Sequence, residues 1–233
     1  MIDALYISPH FDDAVFSCGS QIYDRIQRGE RVVVVTVCAA PPPALSELSP
    51  FAAGLHARWS ASGQSNFDRA AEDRAALAVL GAEPVHLNFH DCIYRRSTEG
   101  DWLYDSESAI FGKLSPREAT VVAAVAAALA GVEPLAPDAE IYIPFGVGGH
   151  VDHQLARVAA EQWLVNTRHP LRHYADYPYA QSVAGGIERP ITQAARQAKI
   201  QAVRAYTSQL SSFWADEAVM AEKVSGWTER VFE

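Results

Sequence analysis

Ala4-Leu5-Tyr6-Ile7-Ser8-Pro9-His10-Phe11-Asp12-Asp13, followed one helix later by Arg31-Val32-Val33-Val34-Val35-Thr36-Val37-Cys38, is the stretch that decides the fold. Val32 to Val35 is apolar without alternation, as expected of a strand covered on both faces by helices in a parallel sheet. Between the two runs, Asp12 to Gln27 carries Val15, Phe16, Ile22 and Ile26 at helical spacing and stops at Gly29, a C-cap type of residue. The same alternation continues outward. Val85 to Phe89 and Glu140 to Phe145 read as further strands, Phe67 to Leu80 as a helix closed by Gly81, and Ser115-Pro116-Arg117-Glu118 as the start of a helix running to Leu129 and ending near Gly131. Strand and helix in strict turn predict right-handed crossovers and an α/β, Rossmann-like fold: a mostly parallel central sheet with helices on both faces, one domain over residues 1–233. Residues 39–65, 91–114 and 166–190 are rich in Pro, Ser, Gly, Trp or Tyr and read as long lid or binding loops.

The composition narrows the function classes. Asp and Glu outnumber Lys and Arg by 28 to 19, a net charge of -9, which offers no general attraction to nucleic acid or anionic membranes. The amino terminus lacks a signal-peptide pattern and no apolar run is long enough to span a bilayer, so a cytoplasmic protein is expected. Cys18, Cys38 and Cys92 are odd in number and widely spaced, which fits buried thiols better than a disulfide framework or a thiolate metal site. Nothing in the sequence speaks to oligomeric state.

In sheets of this type ligands bind beyond the carboxyl ends of the strands, where strand order reverses. Two strand ends here carry chemistry. The first strand runs into His10, Asp12 and Asp13; the fourth runs through Gly146-Val147-Gly148-Gly149 into His150-Val151-Asp152-His153. Each cluster alone has a plain structural reading, Asp12 or Asp13 as a helix cap and His150 or His153 as turn residues. Together they predict one site. Neutral imidazoles with a carboxylate suit zinc, and a catalytic zinc takes three protein ligands, leaving a position open. His10, Asp13 and His153 supply that set, one Zn2+ per chain. Asp12 is then the general base, and a protonated His150, oriented and raised in pKa by Asp152, is the group for the developing oxyanion and the departing amine.

These residues resemble the PIG-L (LmbE-like) zinc N-deacetylases, which act on N-acetylglucosaminyl lipids and on sugar precursors of bacterial thiols and antibiotics. The first family motif, Pro-His-Pro-Asp-Asp-Glu, stands as Pro9-His10-Phe11-Asp12-Asp13-Ala14, and the second, His-x-Asp-His, stands intact at His150 to His153. Arg69, Glu72, Leu80 and Gly81 match a family helix, Asp91 a carboxylate after the third strand, and Lys199 with Ser208-Gln209 a segment near the carboxyl end, where Tyr206 replaces a common His. The resemblance implies a Rossmann-like fold, the zinc set and catalytic roles above, Arg69 and Asp91 on the substrate, and a small N-acetylated molecule, such as an N-acetylglucosamine-type sugar or sugar-bearing natural-product intermediate, as substrate. Phe11 and Ala14 depart from the family and bear on substrate identity.

Other candidates follow from position. His56, Arg58 and Trp59 could line a sugar pocket; Tyr94, Arg95 and Arg96, after the third strand, could take a substrate phosphate or carboxylate. His86 and His90 flank a strand, and Tyr174 to Tyr179 is expected as an extended edge near the site mouth. Two alternatives stay open. Two His and one carboxylate also spell a non-haem Fe(II) oxygenase triad, though that triad belongs on an all-β scaffold. A catalytically silent metal-binding protein would use the same pocket but would have no use for Asp12 and His150.

Overall fold

The computed structural model describes residues 1–61, 68–132, 134–165 and 167–233. The strands are β1 (Ile2–Ser8), β2 (Val32–Thr36), β3 (Glu83–His86), β4 (Leu135–Pro144), β5 (Leu171–Tyr174), β6 (Ile187–Glu188) and β7 (Arg230–Phe232). The helices are α1 (Asp13–Gln27), α2 (Pro50–Ala61), α3 (Arg69–Leu80), α4 (Glu107–Ile110), α5 (Ala119–Ala130), α6 (Val151–Leu164), α7 (Gln193–Arg204), α8 (Thr207–Phe213) and α9 (Glu217–Gly226). Among the described residues these seven strands form one sheet in the order β3-β2-β1-β4-β5-β7-β6. β1 to β5 are parallel, and β7 pairs antiparallel with β5 and β6.

The valine run behaves as its pattern requires. Val32 and Val34 point into a core shared with Val15 and Ile22 of α1, Leu77 of α3 and Val203 of α7. Val33 and Val35 point into the opposite core with Val125 of α5 and Leu155 of α6. A strand with period two and helices on both sides must be apolar at every position. Each of these valines is at most 2% exposed, so each contributes about 1.5–3 kcal/mol of burial.

Successive strands step from β1 through β2 to β3 on one side, then return to β4 and β5 on the other. Strand order therefore reverses between β1 and β4, and the crevice at their carboxyl ends is where the two polar clusters meet.

The structure moves several expected boundaries. β3 ends at His86, and 87–89 follow the end of β2 through the Leu87 N–H to the Thr36 carbonyl, a bridge between Cys38 and Asn88, and the Ala40 N–H to the Phe89 carbonyl. β4 begins five residues earlier than expected, at Leu135, with a register shift against β1 between Ile2 and Ala4. Asp68 caps α3 by accepting from the Ala71 N–H, while Phe67, expected to open that helix, lies outside the described residues. Ser115 caps a 3-10 turn, Pro116–Glu118, that leads into α5. Gly81 is the left-handed C-cap expected, φ 85°; Gly131 is not, with φ -86°. The three stretches expected as loops hold structure: α2 in the first, α4 in the second, β5 and β6 in the third. Among the described residues no helix is long and apolar enough to cross a membrane.

Candidate metal centre and active site

β1 releases the chain at Ser8, whose Oγ accepts from the Ala14 N–H at 3.0 Å and so shapes the turn that carries His10, Asp12 and Asp13. The His10 N–H donates to Asp13 Oδ2 at 2.8 Å, fixing the Asp13 carboxylate at the start of α1. Asp12 occupies the N-cap position, but its side chain makes no cap hydrogen bond. It is buried and accepts from Arg69 Nη2 at 3.3 Å.

On the neighbouring strand end, Gly146, Gly148 and Gly149 all have positive φ and turn the chain from β4 into α6. Gly148 is the strictest of these. Its φ is +93°, and an added Cβ would lie 2.6 Å from the Tyr179 ring. His150 caps α6, its Nδ1 accepting from the Asp152 N–H at 3.2 Å. With Nδ1 used as an acceptor, the neutral ring carries its proton on Nε2.

His10, Asp13 and His153 bring donor atoms within 4.8 Å of one another. His10 Nδ1 lies 3.1 Å from Asp13 Oδ2, and His153 Nε2 lies 3.4 Å from Asp13 Oδ1. The other nitrogen of each ring is held by a carboxylate: His10 Nε2 by Asp152 Oδ2 at 3.0 Å, His153 Nδ1 by Asp176 Oδ1 at 2.7 Å. Paired carboxylate and histidine is the arrangement that orients metal-binding imidazoles and raises their basicity. Burial opposes charge on His153, but Asp13 and Asp176 override it and push its pKa up to about 10. Burial likewise opposes charge on His10, and hydrogen bonds to Asp13 and Asp152 raise it well above the ordinary histidine value. Asp13, which burial alone would raise, is held well below the carboxylate range by His153 and His10. Carboxylates that draw protons onto two imidazoles so strongly also favour a divalent cation in their place, and the donor set fits one.

His10, His150 and Asp152 form a second close group, as do Asp91, Cys92 and Asp152. Asp152 is engaged elsewhere, however: it also binds Arg95 Nη1 and the Cys92 N–H, so its part is support.

Three expectations change. Asp152 does not orient His150 through its carboxylate; Nδ1 of His150 is 4.0 Å from Asp152 Oδ2, while His10 Nε2 is 3.0 Å from it. Residues two apart at a helix start do not face one another, so Asp152 reaches the other strand end. His150 is not raised either: burial, reinforced by His10, lowers its pKa to about 4, so the ring is neutral. Arg95, expected on the substrate, is turned inward. It is 7% exposed and its guanidinium is taken up by Asp152 and Glu118.

Five other candidates, Arg69, Asp91, Tyr94, His56 and Trp59, line with Phe11 a cavity of about 440 Å3 beside His10. His56 Nε2 meets Tyr94 Oη at 2.6 Å, joining α2 to the turn after β3. Asp91 Oδ2 stands 3.5 Å from His10 Nε2. Arg58 is exposed, and Arg96 stacks on Trp102 with its guanidinium 3.6 Å from the ring centre. His86 binds Asp73 at 2.7 Å, and the His90 carbonyl accepts from Arg95. The Tyr206 hydroxyl lies 2.7 Å from the Phe11 carbonyl oxygen and 2.6 Å from Asp73 Oδ1, and Glu72 binds Ser208. The sequence assigns no role at the site to Asp176, Glu118 or Tyr179; the segment 174–179, expected as an extended edge near the site mouth, instead leaves β5, which lies inside the sheet between β4 and β7. Asp176 obeys the strand-end rule, since it follows β5, but that strand sat inside an expected loop.

Clustered imidazoles and carboxylates at the reversal point of a parallel sheet define the class of metal-assisted hydrolases. The chain belongs to the PIG-L family, described as GlcNAc-PI de-N-acetylase, whose model matches residues 5–164, and its enzymes cleave amide bonds. It is 25% identical over 193 residues to 2'-N-acetylparomamine deacetylase of Niallia circulans, covering 76% of this chain and 67% of the relative. Among solved structures, a deacetylase of teicoplanin biosynthesis superposes with a TM-score of 0.75 at 29% identity, covering 98% of this chain and 95% of that one. A zinc-inhibited form of teicoplanin deacetylase Orf2 gives a TM-score of 0.75 at 27% identity over 98% and 96%.

Proposed function

We propose that the protein is a zinc-dependent N-deacetylase that removes acetyl from a small N-acetylated molecule, an N-acetylglucosamine-type sugar or a sugar-bearing natural-product intermediate, in the cytoplasm. The observation that carries this reading is a division of labour at one crevice. His10, Asp13 and His153 converge within 4.8 Å, while Asp12 and His150 border them without being needed as ligands. One zinc per chain on these three residues would polarise the amide carbonyl. The relatives named above support the substrate class, and the zinc-inhibited form of one supports a metal-binding site.

Asp12 takes the proton of the attacking water, whose oxygen bonds to the carbonyl carbon. Burial raises the Asp12 carboxyl, opposed by Arg69, which suits a group that must bind a proton and release it. His150 donates from Nε2 to the oxyanion as a neutral ring, the state its Nδ1 contact fixes. The carbon–nitrogen bond then breaks, the proton from Asp12 passes to the leaving nitrogen, and acetate and a free amine result. Arg69 and Asp91 on the cavity wall bind hydroxyls of the sugar, joined by Tyr94, while Trp59 offers it an aromatic face.

The test is acetate release from a panel of N-acetylated sugars, before and after chelation and after zinc is restored. Release that chelation abolishes and zinc restores is the expected result. Release untouched by chelation would overturn the metal assignment, and 2-oxoglutarate-dependent turnover with bound iron would replace it by the oxygenase reading.

A further inference from the structure

A line of buried hydrogen bonds leads away from His10. Asp152 Oδ2 accepts from His10 Nε2 at 3.0 Å and from the Cys92 N–H at 3.0 Å. Asp152 Oδ1 accepts from Arg95 Nη1, which also donates to the His90 carbonyl at 3.1 Å. Arg95 turns its Nε and Nη2 to the two oxygens of Glu118, and Glu118 Oε2 accepts from the Tyr104 hydroxyl. Asp152 and Glu118 are 0% exposed, Tyr104 2% and Arg95 7%.

Burying a guanidinium between two carboxylates carries a desolvation cost that apolar side chains of similar volume would avoid. Its geometry gives the arrangement a use. Every oxygen of Asp152 is assigned: Oδ1 to Arg95, Oδ2 to His10 and a backbone N–H, so the carboxylate cannot rotate. Glu118 grips the far edge of the guanidinium and removes the remaining freedom of Arg95. A fixed Asp152 holds the proton of His10 on Nε2 and turns Nδ1 toward Asp13.

We infer that Arg95 and Glu118 are positioning residues for the metal ligand His10, acting through Asp152 to fix its ring plane and to keep the Nε2 proton in place when Nδ1 gives up its own to a cation. The inference takes from the proposed function only that His10 is a ligand. Arg95 thus serves the metal from behind and has no part in holding substrate.

The experiment is zinc affinity of the full-length chain by competition with a chromophoric chelator, measured beside the KM for an N-acetylated sugar and the melting temperature. Arg95→Met is expected to weaken zinc binding about 10-fold or more with KM unchanged, and Arg95→Lys, which keeps charge without the fork, to recover only part of it. Tyr104→Phe, the mildest change, is expected to weaken it about 3-fold, and it decides the matter if Arg95→Met does not fold. Leu80→Ala, a core truncation at the end of α3 remote from the carboxyl ends of the strands, is the control for lost stability alone and leaves zinc affinity as in the wild type. Wild-type zinc affinity in the Arg95 and Tyr104 variants, or a raised KM with affinity intact, overturns the inference while the deacetylase reading stands. A wild-type chain that takes up no zinc overturns both.

Discussion

Asp12 and Asp13 are adjacent carboxylates whose surroundings divide their work. Asp13 faces two imidazoles that stabilise its charge, whereas Asp12 meets the cost of burial chiefly with Arg69 at 3.3 Å. Replacing Asp12 by Asn keeps the shape and removes the base. Turnover is expected to fall by about 100-fold or more with zinc content unchanged, measured by acetate release and metal analysis on the same preparation. His153→Ala removes a ligand, and its zinc content should fall toward zero. Asp176 is buried and holds His153 Nδ1 at 2.7 Å and the Gly146 N–H at 2.8 Å. Asp176→Asn is expected to lower zinc affinity about 10-fold, read by chelator competition; an unchanged affinity would mean that the Gly146 loop alone positions His153.

Helix and strand ends determine where these side chains point. The turn between β4 and α6 needs three left-handed glycines because β4 must hand over to a helix whose first residues face back toward β1. At Gly148, φ +93° would strain any L residue, and the added Cβ would collide with the Tyr179 ring, whose own centre lies 6.0 Å from that of His153. Gly148→Ala is therefore expected to cost about 1–2 kcal/mol in urea denaturation and to lower zinc affinity as well, since the turn and the His153 wall shift together. A loss of stability with zinc affinity intact would separate the turn from the site. The elements that fix the site were legible because their signals are local: an unbroken valine run, a helix period, and polar groups at strand ends. α2 carries little apolar period, because among its described side chains the small Ala52 is the fully buried one. β5 and β7 are four and three residues long, and their pairing of His173 with Phe232 joins positions far apart in the chain. Asp152 was misassigned for a related reason, because its partner lies across the crevice and its sequence neighbour His150 does not face it.

Across the whole molecule, the carboxyl-terminal segment is tied to the site-bearing helix through a buried ion pair. Lys199 of α7 is 1% exposed and donates from Nζ to Glu229 Oε1 at 2.9 Å. The two Glu229 oxygens also accept from the Ser20 and Gln21 N–H groups of α1, each at 2.9 Å. The lysine stem reaches its partner across Gly19, where a Cβ would stand 2.9 Å from Lys199 Cγ. α1 starts at Asp13 and carries a face of the core, so this junction joins the last strand, α7 and the helix behind the metal centre. Removing one member leaves the other charge buried and unpaired, which is the costly half of such a pair. Lys199→Met is expected to destabilise the fold by about 3–5 kcal/mol in urea denaturation. Adding Glu229→Gln removes the stranded charge but keeps an acceptor for the α1 amides. The double variant should therefore regain part of the stability lost by Lys199→Met alone. Strictly additive losses would show that Glu229 holds α1 through its backbone contacts and that the lysine contributes packing only.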